Sequence, residues 1–130
     1  PLDHQTGLRE QDWGQWSGLT LTQLYQEKSK DLDEQTRRGW QFCPTDGEDR
    51  NSVLRRAWQT FESIAAKWPG QSILVVTHEG VIKCLMYHLL QRRFLPDEPR
   101  ILKPAHLHFL LVKQDQFIIE QINALDLNNE

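Results

Sequence analysis

The sequence predicts an α/β fold, and three observations carry that expectation. Residues 72–77, Ser-Ile-Leu-Val-Val-Thr, form a short β-branched apolar run, the pattern of a strand buried in a parallel or mixed sheet. Residues 81–91 follow almost at once and place Val81, Leu85 and Leu89 at helical spacing, with Ile82 and Met86 alongside. Further on, residues 107–112 and 117–123 read as two strands joined by Lys113-Gln114-Asp115-Gln116, a connection of hairpin length.

The other elements follow along the chain. Residues 1–19 set Trp13 and Trp16 among Gly7, Gly14 and Gly18, which reads as a structured loop because linkers rarely carry tryptophan. Thr20 or Thr22 can cap a helix running through Leu21, Leu24 and Tyr25 toward Leu32. Residues 36–48 are loop-like and end in Cys43-Pro44-Thr45-Asp46-Gly47-Glu48. From Asp49 to Lys67 the apolar positions Val53, Leu54, Ala57, Trp58, Phe61, Ile64 and Ala65 keep helical spacing, the longest helix expected, and Pro69-Gly70 ends it. Residues 92–104 hold three prolines and read as irregular, and residues 126–130 as a frayed tail. No repeat, low-complexity segment or internal boundary interrupts the chain, so residues 1–130 read as a single domain.

Composition narrows the function. The 130 residues carry 25% charged and 38% hydrophobic side chains, in the range of a soluble globular protein with a real core. A net charge of −3 and an isoelectric point near 6.0 speak against nucleic acid as a partner, which would ask for a basic face. No apolar stretch approaches the ~20 residues of a membrane span, and residues 1–10 are too polar for a secretion signal. Cys43 and Cys84 form no CxxC pair and no metal spacing; Cys84 reads as a small core residue. Free thiols without a signal point to the cytoplasm.

The chemistry-bearing stretch is Val76-Thr77-His78-Glu79-Gly80. It places His78 where the carboxyl end of a strand meets the amino end of a helix. Free N–H groups and the helix dipole favour an anion there, and Gly80 lets the backbone be approached closely. A lone histidine at such a corner is also often a hydrogen-bonded surface residue. His106 and His108 alternate on one expected strand, and two histidines are too few for a zinc site.

Two further landmarks join this corner: Leu8-Arg9-Glu10 with Gly14 and Gly18 behind it, and Gly47-Glu48-Asp49 opening the long helix. In this order and spacing the three resemble the histidine phosphatase superfamily, also called phosphoglycerate-mutase-like, over residues 8 to about 90. The resemblance implies a three-layer α/β/α fold, here partial and without its first strand. It also implies phosphoryl transfer through a phosphohistidine, with no cofactor and no metal. A histidine nucleophile takes the phosphoryl group, fixed cations hold its oxygens, and a carboxylic acid serves the leaving group and then water. Carried onto this sequence, His78 matches the second histidine, a phosphate ligand, and Glu10 matches the acid. Glu79 and Gly80 support the phosphate. Arg9 either reaches substrate or pairs with Glu10 or Asp12. Glu48 reads as structural, by capping the helix start, and Arg56 as one side of a solvated face or a salt bridge. The residues Arg92, Arg93, Arg100 and Lys103 form either an anion-facing lid or a solvated loop.

The resemblance breaks at one point. The family carries its nucleophile in an Arg-His-Gly motif, and no Arg-His dipeptide occurs in this sequence. The chain also opens on Pro1 rather than methionine and resembles the carboxyl-terminal two-thirds of a member. The parent reads as a phosphomonoester phosphatase or mutase acting on a small phosphorylated metabolite; the chain alone reads as inactive. The alternative is a non-catalytic phosphate-binding or regulatory domain. Strands left without a neighbour invite pairing with another chain, so a homodimer or segment swap is expected.

Overall fold

The computed structural model describes residues 2–129. Four helices and one β-hairpin appear in the order α1 (Leu21–Glu27), α2 (Ser29–Thr36), α3 (Arg50–Lys67), α4 (Glu79–Leu89), β1 (His106–Lys113) and β2 (Gln116–Asp126). The fold is α/β, as expected.

Thr20 starts α1 with a complete capping box: its hydroxyl accepts from the Gln23 N–H at 3.1 Å, and the Gln23 side chain accepts from the Thr20 N–H at 2.8 Å. The single helix expected over this region is broken at Lys28, whose ψ of 30° leaves the helical region before α2 begins. The break lets Leu24 and Leu32, one on each helix, both reach a core shared with Trp16 and Phe42. Trp13, Trp16 and Phe42 meet edge-on or tilted at 5.7–6.0 Å, so the two loop tryptophans are packing anchors.

Helix α3 begins where the sequence places it. Asp49 caps it, its carboxylate accepting from the Ser52 N–H at 2.6 Å. Its inner face buries Val53 and Ala57 against Val81, Cys84 and Leu85 of α4, the central core of the molecule. The hairpin turns at Gln114 and Asp115, both at positive φ (51° and 60°), the geometry that matches the twist of two-residue hairpins. Its inner face sets Leu110, Ile119 and Ile122 on Met86, Tyr87 and Leu102. On the opposite face Phe109, Leu111 and Ile118 are exposed, so the layered arrangement is partial, with helices on one side of the hairpin.

One element departs from expectation. Residues 72–77 are not a buried strand. They run extended but join no ladder, and no backbone hydrogen bond is made by residues 71–77 among the described residues. Ile73 is 43%, Leu74 76% and Val76 83% exposed, so the run is not buried either. The cause is that a strand is a pairing, not a property of one segment. β1 pairs with β2, and the sheet of the described residues is the antiparallel hairpin alone rather than a parallel or mixed sheet. The tail also differs, since β2 continues to Asp126, which pairs with His106.

Candidate functional site

The corner is assembled from two segments about seventy residues apart. The Thr77 hydroxyl donates to the Leu8 carbonyl at 2.6 Å and ties the 8–10 loop to the start of α4. Next to it the Glu10 carboxylate lies directly over Gly80. A Cβ on Gly80 would collide with Oε1 of Glu10, so glycine is what allows the carboxylate to sit against the first turn of the helix. Oε1 also accepts from the Gln11 N–H at 2.9 Å, which fixes its orientation.

His78 is the N-cap residue of α4 in an extended conformation, and its carbonyl accepts from the Ile82 N–H at 3.0 Å. Its imidazole is exposed and makes no hydrogen bond among the described residues. The N–H groups of Glu79, Gly80 and Val81 likewise have no acceptor there; Glu79 is exposed and Gly80 half-buried at the positive end of this eleven-residue helix, whereas Val81 is fully buried.

A second layer holds the loop. Arg56 reaches across from α3: Nε and Nη2 bond both carboxylate oxygens of Glu48 at 2.8 and 2.9 Å, Nη1 donates to the Gly7 carbonyl and Nη2 to the Glu10 carbonyl. Glu48 in turn accepts from the Asp12 N–H and donates its own N–H to the Asp12 carbonyl. Gln11, buried, donates its side-chain amide to the Glu48 carbonyl at 2.8 Å. The Arg56 hydrogen bond holds the Glu48 carboxyl below its ordinary value against the opposing effect of burial. The salt-bridge reading of Arg56 and the structural reading of Glu48 both fit this geometry, but the helix cap itself is Asp49 rather than Glu48.

The remaining candidates fall around this centre. Glu79 faces two cations, Lys83 at 3.0 Å and Arg100 at 3.2 Å, and the Lys83 bond is the leading reason its carboxyl is held low. Arg9 makes neither of the ion pairs weighed for it; its guanidinium donates to the Thr6 carbonyl at 2.9 Å and lines a shallow recess of about 330 Å³ with Arg56 and Thr60. The structure therefore brings His78, Gly80 and Glu10 together, sets Glu79 at the rim, and turns Arg9 toward α3.

Within residues 92–104 the basic residues divide. Arg92 is held by Glu98 and lies over the Tyr87 ring, whereas Arg100 extends to Glu79 at the mouth of the corner. His106 and His108 lie on the hairpin and are otherwise engaged: His106 Nδ1 is 2.9 Å from the Pro104 carbonyl, and His108 Nδ1 accepts from the Asn123 N–H, with burial holding the His108 pKa down. Among the described residues no three His, Cys, Asp or Glu side chains gather as a metal centre would require. A groove of about 770 Å³ runs along α3 past Asp49, Arg55, Trp58 and His88 and includes none of the corner residues. Two contacts went unread in the sequence, Thr77 to Leu8 and Arg100 to Glu79; both join residues whose spacing in the chain carries no local signal.

Known proteins resemble this chain in sequence and in structure. The profile of the histidine phosphatase superfamily (branch 1) matches residues 1–125. The Bifunctional protein Rv2228c of Mycobacterium tuberculosis is 28% identical over 123 residues, 95% of this chain but 32% of that protein. Among solved structures, Bacillus stearothermophilus YhfR superimposes with a TM-score of 0.78 at 25% identity, covering 90% of this chain and 58% of that one. A mycobacterial glucosyl-3-phosphoglycerate phosphatase, Rv2419c, solved with VO3, gives a TM-score of 0.71 at 25% identity, over 93% of this chain and 64% of that one. The chain thus spans about a third of the curated relative and roughly three-fifths of the structural neighbours.

Proposed function

The chain belongs to the histidine phosphatase superfamily (branch 1), and we propose that its His78–Gly80–Glu10 corner is the phosphate-holding and acid–base half of a phosphomonoester phosphatase site that needs no cofactor. The observation that carries the reading is the seat of the Glu10 carboxylate on Gly80, beside an exposed imidazole and the free N–H groups of Glu79 and Gly80.

In this reading a phosphorylated metabolite places its phosphoryl oxygens against the His78 imidazole and the N–H groups of Glu79 and Gly80. Those donors oppose charge on the oxygens as the phosphoryl group transfers. The accepting histidine is not among these residues, since the sequence has no Arg-His-Gly. When the P–O bond breaks and a P–N bond forms on that histidine, Glu10 gives its proton to the leaving oxygen. In the second step Glu10 takes a proton from water as the water attacks phosphorus, and the P–N bond breaks to release phosphate. Hydrolysis is preferred over mutase transfer because the structural neighbour solved with VO3 is a phosphatase. Glu79 keeps Lys83 and Arg100 at the rim, where their charge favours an anionic substrate.

The test is hydrolysis of an aryl phosphate by this chain, with His78→Ala as control. The reading predicts no turnover in either, because the accepting histidine is missing. Turnover abolished by His78→Ala would contradict it, since some residue of this chain would then be accepting the phosphoryl group.

A further inference from the structure

We propose that Asn123 is a positioning residue for the corner: its side chain braces residues 101–103 and through them holds Arg100 against Glu79, beside His78. Asn123 lies where the hairpin is irregular. Between the pairs Leu107–Leu125 and Phe109–Gln121, residues 122–124 of β2 stand opposite His108 alone. Such bulges re-aim side chains and are common beside active sites. Asn123 takes φ 54°, a left-handed conformation that asparagine tolerates better than most residues. Its N–H donates to Nδ1 of His108 at 3.0 Å, which ties the bulge to β1.

The side-chain amide is not spent on the hairpin. Nδ2 donates to the Ile101 carbonyl at 2.8 Å, and Oδ1 accepts from the Lys103 N–H at 2.9 Å. Closing a bulge needs neither bond. Both go to the irregular segment, and Leu102 between them is buried against Met86 and Tyr87. On the other side of Arg100, the Arg92 guanidinium donates to the Pro99 carbonyl. Arg100 is therefore held through both of its neighbours while its guanidinium reaches Glu79 at 3.2 Å. An exposed ion pair is usually weak because ordering two long side chains costs entropy; fixing the backbone around one of them removes part of that cost. The effect falls at the site. Glu79 is the residue next to His78, and its carboxylate alone would repel an anion there. Arg100 and Lys83 together outweigh it. The consequence for substrate rests on the phosphate reading of the corner, whereas the brace stands on the contacts themselves.

A double-mutant cycle on the chain tests this, with Asn123→Gly, Arg100→Gln and the two combined. Glycine keeps the left-handed backbone and removes both side-chain bonds. The first readout is the 13C titration of the Glu79 carboxyl, which Lys83 first and Arg100 with it hold below its ordinary value. Each single variant should raise it, and the double variant no further than Arg100→Gln. The second readout is affinity for inorganic phosphate at low salt. It should fall about threefold in Arg100→Gln, the scale of an exposed charge interaction, by a smaller factor in Asn123→Gly, and no further in the double variant than in Arg100→Gln. If Asn123→Gly unfolds, Asn123→Asp keeps the left-handed backbone and the Lys103 bond, and the Arg100→Gln background subtracts the effect of its added charge. A Glu79 titration that Asn123→Gly leaves at the parent value, or raises equally with and without Arg100, would overturn the proposal. A parent that binds no phosphate while Glu79 responds as expected would support the brace and overturn the phosphate reading alone.

Discussion

At Gly80 the missing side chain decides the geometry of the corner, because any Cβ would displace the Glu10 carboxylate. Helix propensity alone favours alanine there by up to about 1 kcal/mol. Gly80→Ala should therefore leave the melting temperature unchanged or slightly raised while weakening phosphate binding about tenfold, a difference of about 1.4 kcal/mol. Calorimetric titration with inorganic phosphate, run beside a thermal melt, separates the two effects. Equal affinity in the variant would mean that Glu10 does not need its seat on the helix. This contact could not have been read from spacing, because Glu10 and Gly80 lie far apart in the chain and nothing local joins them. The resemblance to a family proposed that they work together, and the fold supplies the contact. His78 was more legible, since an apolar run ending in Thr-His-Glu-Gly before a helical pattern marks a helix start from sequence alone.

Among the elements, α3 carries the site without touching its chemistry. It presents Arg56, whose fork binds Glu48 and two loop carbonyls at once. Arg56 and Glu48 expose only 14% and 16% of their side chains, so the pair is more than a surface contact. Removing its charge with Glu48→Gln should cost roughly 1.5–3 kcal/mol at pH 7, the range for hydrogen bonds to charged groups. The pH dependence has a definite sign. The Glu48 carboxyl is held below its ordinary 4.5, so its stabilisation is fully present above that value and is lost as the pH falls through the lowered one. Urea unfolding of parent and variant at pH 7, 5 and 3 should show a gap that is full at pH 7 and smallest at pH 3; a gap independent of pH would contradict the account. The α3 helix was legible from its apolar periodicity and the hairpin from two apolar runs with a short polar connection, whereas the Asp49 cap and the turn at Gln114 and Asp115 came from the fold. Residues 72–77 were not, since strand propensity says nothing about which neighbour completes the ladder. The break at Lys28 was hidden for a different reason: Leu24 and Leu32 are compatible with one long helix until the shared core forces two.

For the molecule as a whole, the helical core and the inner face of the hairpin are packed, and two groups of neighbouring apolar side chains remain exposed. One is the outer face of the hairpin at Phe109, Leu111 and Ile118; the other is the extended run at residues 73–76 that leads to His78. No helix among the described residues is long and apolar enough to cross a membrane. The corner itself is built from a loop pinned by α3 and from the first turn of α4, and α3 and α4 share one buried core. The proposed phosphate site is thus held by elements that share one buried core, as a site that must be preorganised requires. The most direct test is a titration of the 15N-labelled chain with inorganic phosphate and with vanadate, following the His78 imidazole and the amides of Glu79 and Gly80. The account predicts saturable shifts at these three residues that vanish in His78→Ala. A titration that leaves them unmoved while the protein stays folded, or shifts that persist without His78, would contradict it.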